Sequence, residues 1–333
     1  WRATKTSTSI NHSQKSYAHE AGKKALAAYI DKNSNGVSVE DTEINYFYRI
    51  KKETCLQPTV NVLVWSNQPQ ADVKKFTKIR KDTAYETCDF ILISAQLDAE
   101  DGGLDKQRSH ISEGVYLEQS RHFIAKAQSL TDVIASCDCD FLVFLDSIVS
   151  TVESGWLSEL VSQVISAGVG IACGRFSYPE GDGISYAVPD LNIEAPGYYL
   201  SFLTSCSRHL NGLHCSQFIQ FSPWDICIIR RRDYKSLGGF DHENYPSLFA
   251  MTDLALRAVQ PGFDIVYTPY ARVIGEREQF GRHELDKEAC LAEKINFQSK
   301  WRDTLKKMDP YYNLNILDEH NVDRNEFSSW FIG

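Results

Sequence analysis

Val60-Asn61-Val62-Leu63-Val64-Trp65 is followed by an amphipathic stretch from about Ala71 to Asp82 and then by Phe90-Ile91-Leu92-Ile93. Two short, near-continuous apolar runs separated by helical spacing read as strand, helix, strand. A strand that is apolar at successive positions is buried on both faces, which is the habit of a parallel sheet covered by helices. Phe141-Leu142-Val143-Phe144-Leu145-Asp146 repeats the pattern, and a second helix over about Leu117 to Ala135 is expected to feed it. The expected fold class is therefore α/β, a mostly parallel sheet with helices on both faces. In such sheets the ligand crevice lies beyond the carboxyl ends of the strands. That singles out Ser66-Asn67, Ser94 through Asp101, and Asp146-Ser147.

Outward from this core, Ser16 can cap a helix from Tyr17 to Ile30 that stops at Asn33-Ser34-Asn35-Gly36. It reads as a lead-in to the sheet. Trp156 to about Ala167 is helical by spacing and precedes the short strand Val169-Gly170-Ile171-Ala172-Cys173. Residues 174–216 are loop-rich, and Gln217 to Arg230 reads as a strand pair broken around Pro223. Leu237-Gly238-Gly239-Phe240-Asp241 is a bend that consecutive glycines permit. A helix from Leu248 to Val259, a strand from Phe263 to Thr268 and a long helix from about Leu285 to Lys307 complete the pattern. Arg230-Arg231-Arg232 beside Asp233 reads as a solvated strand end.

The chain has 333 residues and 43% hydrophobic content, enough for a substantial core. Lys and Arg total 35 against 44 Asp and Glu, a net charge of -9 that argues against a non-specific nucleic-acid surface or a polybasic membrane anchor. No run has the length of a membrane span, and Trp1-Arg2-Ala3-Thr4-Lys5 has no apolar signal core. The missing initiator Met points to a piece of a longer chain. Nine Cys, scattered and several within apolar runs such as Ile226-Cys227-Ile228, read as buried thiols of a cytoplasmic protein. Cys206, His209, His214 and Cys215 read as ordinary packing, because adjacent His214-Cys215 is awkward for two ligands of one tetrahedral ion.

Arg230-Arg231, Leu237-Gly238-Gly239-Phe240-Asp241-His242-Glu243, Thr252-Asp253-Leu254-Ala255-Leu256-Arg257 and Gly262-Phe263-Asp264-Ile265-Val266-Tyr267-Thr268-Pro269-Tyr270 together resemble the family 2 glycosyltransferases. These are inverting enzymes of GT-A fold that use nucleotide-diphospho-sugars. Asp309-Pro310-Tyr311-Tyr312-Asn313 resembles the terminus of bacterial members that build surface polysaccharides, and Ser16-Tyr17-Ala18-His19-Glu20-Ala21-Gly22 resembles the segment before such a domain in tandem proteins. The resemblance implies a mixed, mostly parallel GT-A sheet with a Rossmann-like nucleotide-binding half. It implies residues 1–57 as linker and lead-in helix from a preceding domain, 58–320 as the glycosyltransferase-like domain, and 321–333 as a tail. It also implies a nucleotide-sugar donor, a polysaccharide or glycolipid acceptor, an adjacent glycosyltransferase domain in the parent chain, and a cytoplasmic place that includes the inner face of the membrane.

By the same resemblance, Asp146 stands where the family places its metal-binding acids, with Ile148 at the next acidic position, and Mg²⁺ or Mn²⁺ would sit there to neutralise the diphosphate leaving group. Asp146 also reads as a strand-end residue capping the next turn. Glu276 is the one oxygen donor where the family offers a metal-ligating His, and Ser94 stands where it places a nucleotide-binding Asp. Trp224 and Asp225 match the acceptor pocket, although a Trp after a Pro in a strand is also a core residue. Met251 replaces the first acid of the catalytic dyad and Asp253 is retained as the expected general base, or else as a helix N-terminal carboxylate favoured by the macrodipole. An active transferase and a catalytically degenerate module that binds glycan or holds a partner domain are both open on these residues.

Overall fold

Two of the sequence-derived strands, Val60–Trp65 and Phe141–Asp146, lie side by side and parallel at the centre of the sheet. The computed structural model describes residues 16–34, 36–42, 44–53, 56–66, 69–94, 114–117, 122–126, 130–178, 181–185, 214–220, 222, 226–246, 249–275, 287–306 and 311. Its strands are β1 Val37–Asp41, β2 Tyr48–Lys52, β3 Val60–Trp65, β4 Cys88–Ser94, β5 Gly114–Leu117, β6 His122–Lys126, β7 Phe141–Asp146, β8 Val149–Val152, β9 Val169–Tyr178, β10 Gly181–Ser185, β11 Gln217–Ile219, β12 Ile226–Arg230 and β13 Asp264–Gly275. Its helices are α1 Ser16–Asn33, α2 Pro69–Asp82, α3 Leu130–Ser136, α4 Trp156–Val164, α5 Arg231–Ser236, α6 Ala250–Val259 and α7 Lys287–Lys306.

The main sheet runs β11-β13-β9-β12-β7-β3-β4-β6-β5, with β10 on β9 and β8 on β13. β3 pairs parallel with β4 and β7, and β4 pairs parallel with β6. The chain therefore steps outward from β3 through β4 to β6, then returns to the other side of β3 to lay down β7. That reversal makes a topological switch point between β3 and β7, the place beyond whose carboxyl ends ligands bind in open sheets of this kind. β12 runs antiparallel between β7 and β9, joining this parallel half to the mixed half that holds β13.

The continuous apolar runs divide by alternation into two cores, since successive strand residues face opposite sides. Leu63, Ile93, Leu142 and Phe144 pack on one face with Tyr234, Phe240, Leu254, Phe297 and Trp301. Val62, Val64, Leu92, Val143 and Leu145 pack on the other with Phe76, Ile79, Trp156 and Leu160. A fully buried Trp156 contributes about 2–3 kcal/mol by burial alone, and its indole N–H is satisfied by Thr83 Oγ1 at 2.9 Å.

Several expectations change. The region from Leu117 to Ala135 is not one helix: among its described residues His122–Lys126 is strand β6, paired antiparallel with β5, and helix begins at Leu130 with α3. The open edge of β4 takes His122–Lys126 as a parallel partner, and the short runs around Val115-Tyr116 and Phe123-Ile124 are of strand-favouring types. Gln217 to Arg230 does contain two strands, but β11 pairs with β13 while β12 pairs with β7 and β9. Arg230 is not a solvated end. Its guanidinium donates to the carbonyls of Val169 at 2.7 Å, Ser166 at 3.1 Å and Val164, closing the carboxyl end of α4, and Arg231 begins α5.

The lead-in holds a hairpin as well as the expected helix. β1 and β2 pair antiparallel from Val37↔Lys52 to Asp41↔Tyr48. α1 is tied to it by Asp41, which takes His19 Nε2 at 3.0 Å and Lys23 Nζ at 2.6 Å. The hairpin is tied in turn to the sheet domain. Arg49 Nη2 donates to Glu159 at 2.7 Å while its guanidinium lies 4.1 Å over the Tyr270 ring, and Lys52 Nζ donates to Ser166 Oγ at 2.6 Å. No helix among the described residues is long and apolar enough to cross a membrane.

Candidate functional site

The switch point collects a small polar constellation. Trp65 of β3 stands level with Asp146 of β7, so Ser66 and Ser147 are the first residues past the two strand ends. Ser66 is buried and its hydroxyl donates to Asp72 Oδ2 at 2.5 Å. Asp72 lies in the first turn of α2, and its Oδ1 holds Lys75 Nζ at 2.8 Å. Lys75 also donates to the carbonyl of Ser147. One helix thus fastens the ends of both central strands, with the ammonium placed across the gap between them.

Asp146 is 5% exposed, and its Oδ1 accepts the N–H of Ile148 at 2.9 Å, closing the turn into β8. Ile148 itself is buried. Ser94 ends β4, on the far side of β3 from Asp146 and one residue past the level of Trp65 and Ile93. Glu276, Trp224 and Asp225 lie outside the described residues.

The second constellation surrounds Asp253. α5 ends in paired bonds, Gly238 N–H to Lys235 O at 3.0 Å and Gly239 N–H to Tyr234 O at 2.9 Å, the pattern of a Schellman motif. It needs left-handed backbone, which Gly238 at φ 83 and Gly239 at φ 69 supply. A Cβ on Gly239 would lie 3.1 Å from the Tyr234 ring. The Tyr234 hydroxyl accepts the Phe240 N–H at 3.0 Å, and Phe240 packs edge-on to Phe144 with centroids 4.9 Å apart. The bend expected from the two glycines is therefore present and docked on β7.

Arg257 of α6 clasps this bend by donating to the carbonyls of Leu237 and, at 2.6 Å, Gly239. Its Nε donates to Asp253 at 2.8 Å, and the opposite carboxylate oxygen takes Trp301 Nε1 at 2.9 Å and Lys300 Nζ at 2.7 Å, both from α7. Asp253 is 0% exposed. It joins the glycine bend, α6 and α7. A general base needs a lone pair within reach of the substrate hydroxyl, and in this arrangement the carboxylate is buried and engaged by three donors. Met251, at the dyad's first position, is buried with its sulfur 3.8 Å from Cys227 Sγ.

Around the bend, Asp241 would be raised by burial, but the donors of Asn244 and the ammonium of Lys300 hold its carboxyl below the usual range. His242 is pushed down by burial despite the nearby Asp241 charge, and its Nε2 is buried without a hydrogen-bond partner. Burial pushes the Tyr245 phenol up to about 12, with Asp253 and Asp241 adding to the effect.

Mg²⁺ and Mn²⁺ call for several oxygen ligands in octahedral arrangement. Asp146 brings one carboxylate already committed to a turn, Ile148 brings none, and the Ser147 carbonyl faces the Lys75 ammonium. Among the described residues no group of three or more His, Cys, Asp or Glu could hold a metal ion. Among the described residues Asp146 is thus a single carboxylate at this turn, and Glu276, its expected companion, lies outside them.

No protein-family model matches the chain. An uncharacterized protein, y4gI, from Sinorhizobium fredii is 23% identical over 333 residues, covering 96% of this chain and 36% of that protein. O-antigen biosynthesis protein RfbC from Myxococcus xanthus is 27% identical over 193 residues, covering 53% of this chain and 14% of that protein. The chain thus spans about a third of the first relative and about a seventh of the second. Among solved structures, GalNAc-T7 with UDP, GalNAc and Mn²⁺ superposes with a TM-score of 0.51 at 14% identity, over 92% of this chain and 63% of that one. With the strand order above, this likeness defines the fold: a GT-A glycosyltransferase-type α/β domain.

Lys75, Asp72 and Glu159 were not visible as site or docking residues in the sequence. The one local signal is the i, i+3 spacing of Asp72 and Lys75. It looks the same on a solvated helix face.

Proposed function

We propose that this domain is a glycosyltransferase that takes a sugar from a nucleotide-diphospho-sugar and passes it, with inversion, to a hydroxyl of a polysaccharide or glycolipid acceptor. The observation that carries the reading is a GT-A sheet with a topological switch point between β3 and β7, at whose strand ends Asp146, Ser66 and Lys75 gather. The names of the relatives lend it weight: RfbC is an O-antigen biosynthesis protein, and GalNAc-T7 was captured with UDP and a sugar. In this reading the donor lies over the ends of β3, β4 and β7 against Ser94 and Asp146, and Trp224 and Asp225 face the acceptor. Residues 58–320 form the transferase domain, preceded by a lead-in from a neighbouring glycosyltransferase domain. It works at the cytoplasmic side, including the inner face of the membrane.

Asp253 remains the base proposed from its place in the motif, and serving that role requires α7 to withdraw Lys300 or Trp301 from its carboxylate. The closed state of Asp253 and the apolar Met251 favour a second reading, a GT-A module without transfer activity that binds glycan or braces an adjoining domain.

One panel separates the two: binding and hydrolysis of UDP-, dTDP- and GDP-sugars, with and without Mn²⁺, by wild type, Asp146→Ala and Asp253→Asn. Transferase function predicts donor binding and slow hydrolysis by wild type, weakened in Asp146→Ala. Absence of nucleotide binding in every condition overturns it in favour of the module.

A further inference from the structure

We infer that the Lys75 ammonium forms an anion site at the switch point, which receives the diphosphate of a nucleoside-diphosphate ligand in the place where a divalent metal would otherwise stand. This rests on the glycosyltransferase reading and deepens it.

Three features support it. The first is position. Ser66 and Ser147 are the residues just past two strands whose ends are level, and Lys75 reaches both, through Asp72 to Ser66 and directly to the Ser147 carbonyl. An ordinary i, i+3 surface pair stays on its own helix. This one crosses to a turn 72 residues along the chain.

The second is residual donor capacity. An ammonium has three protons, and Asp72 Oδ1 and the Ser147 carbonyl take two. The third has no acceptor among the described residues. The side chain is 16% exposed, so the charge is partly desolvated yet reachable, which strengthens its pull on an anion relative to a surface lysine. Asp72 is itself secured by Ser66, so it holds the ammonium in place much as protein carboxylates hold a catalytic metal.

The third is the surrounding field. α2 follows β3 in the chain with Pro69 at its first position, and the Ser66–Asp72 bond ties its first turn to the end of that strand. The amino end of a helix carries the positive end of its dipole, which favours an anion. Among the described residues a metal would find few carboxylates at that spot: Ile148 occupies the second acidic position and Asp146 Oδ1 accepts the Ile148 N–H in its turn.

The test is calorimetric titration of the full chain with UDP, dTDP, GDP and inorganic pyrophosphate in EDTA, repeated with Mn²⁺ in place of EDTA. Wild type is expected to bind at least one diphosphate in EDTA, with the dissociation constant changing less than about threefold on adding Mn²⁺. Lys75→Met is expected to weaken that binding by about tenfold or more, the worth of one charge-assisted contact. Lys75→Arg, which keeps the charge, should recover part of it, and binding of the parent nucleoside without phosphates should be the same in all three proteins. Unfolding midpoints show whether each variant folds, and Lys75→Gln carries the comparison if Lys75→Met does not. Equal diphosphate affinity in wild type and Lys75→Met, or binding that requires Mn²⁺, overturns the anion site and leaves the glycosyltransferase reading standing. No nucleotide binding by wild type in any condition overturns both.

Discussion

The ends of β3 and β7 and the first turn of α6 both concentrate charge in a setting that water barely reaches, yet they leave it in opposite states. At the strand ends, Lys75 is fastened by two acceptors and retains a proton to give. In α6, Asp253 is fastened by three donors from two helices and is closed off completely. Perturbed or buried charge by itself does not mark a reactive group. What distinguishes a binding site from a structural joint is whether hydrogen-bonding capacity is left after the fold has taken its share. By that criterion the proposed donor side falls in the parallel half, while the carboxylate of Asp253 in the mixed half is taken up in holding α6 to α7.

The contrast breaks most visibly at Asp253. Asp253→Ala strands the Arg257 and Lys300 cations and the Trp301 indole, and is expected to cost about 3–5 kcal/mol in urea unfolding. Asp253→Asn keeps the shape and loses the charge. A joint predicts that it too is clearly destabilised, whereas a base used only in catalysis predicts near-normal stability with turnover abolished.

Glu159 gives the next largest effect. It is 8% exposed and takes Arg49 on one oxygen, Gln163 at 2.9 Å and Thr268 at 2.8 Å on the other. Glu159→Ala is expected to cost about 2–3 kcal/mol and to raise amide exchange across β1 and β2, because it releases the hairpin from the sheet domain. Unchanged exchange at residues 37–52 would mean the hairpin is held by other contacts.

The smallest effect is expected from His242. Its folded-state value is lowered, so the unfolded chain binds the proton more readily, and stability is full above the ordinary histidine range and declines as pH falls below about 6.5. His242→Gln should flatten the pH dependence of the unfolding midpoint between neutrality and pH 5.5. A steeper dependence in the variant would remove His242 as its source.

The sequence by itself determined much of the frame. β3 and β7 carry the boundaries read from their apolar runs, because strands buried on both faces have no room for polar residues and announce themselves locally. The glycine bend was legible for an equally local reason: two successive left-handed positions exclude almost every other residue. Leu117 to Ala135 was misread because its apolar spacing suits one long helix as well as a short strand followed by a short helix, and the open edge of β4 chose between them. The hairpin at 37–52 gave little signal, since its attachment depends on Glu159 more than a hundred residues away. Tertiary structure alone decided what the charged residues do. Asp253 became enclosed when α7 brought Lys300 and Trp301 against it, and Lys75 came to the strand ends when the return of the chain to β7 set the Ser147 carbonyl within its reach. Pattern and propensity act over a few residues, but the partners of a buried charge are chosen by chain topology.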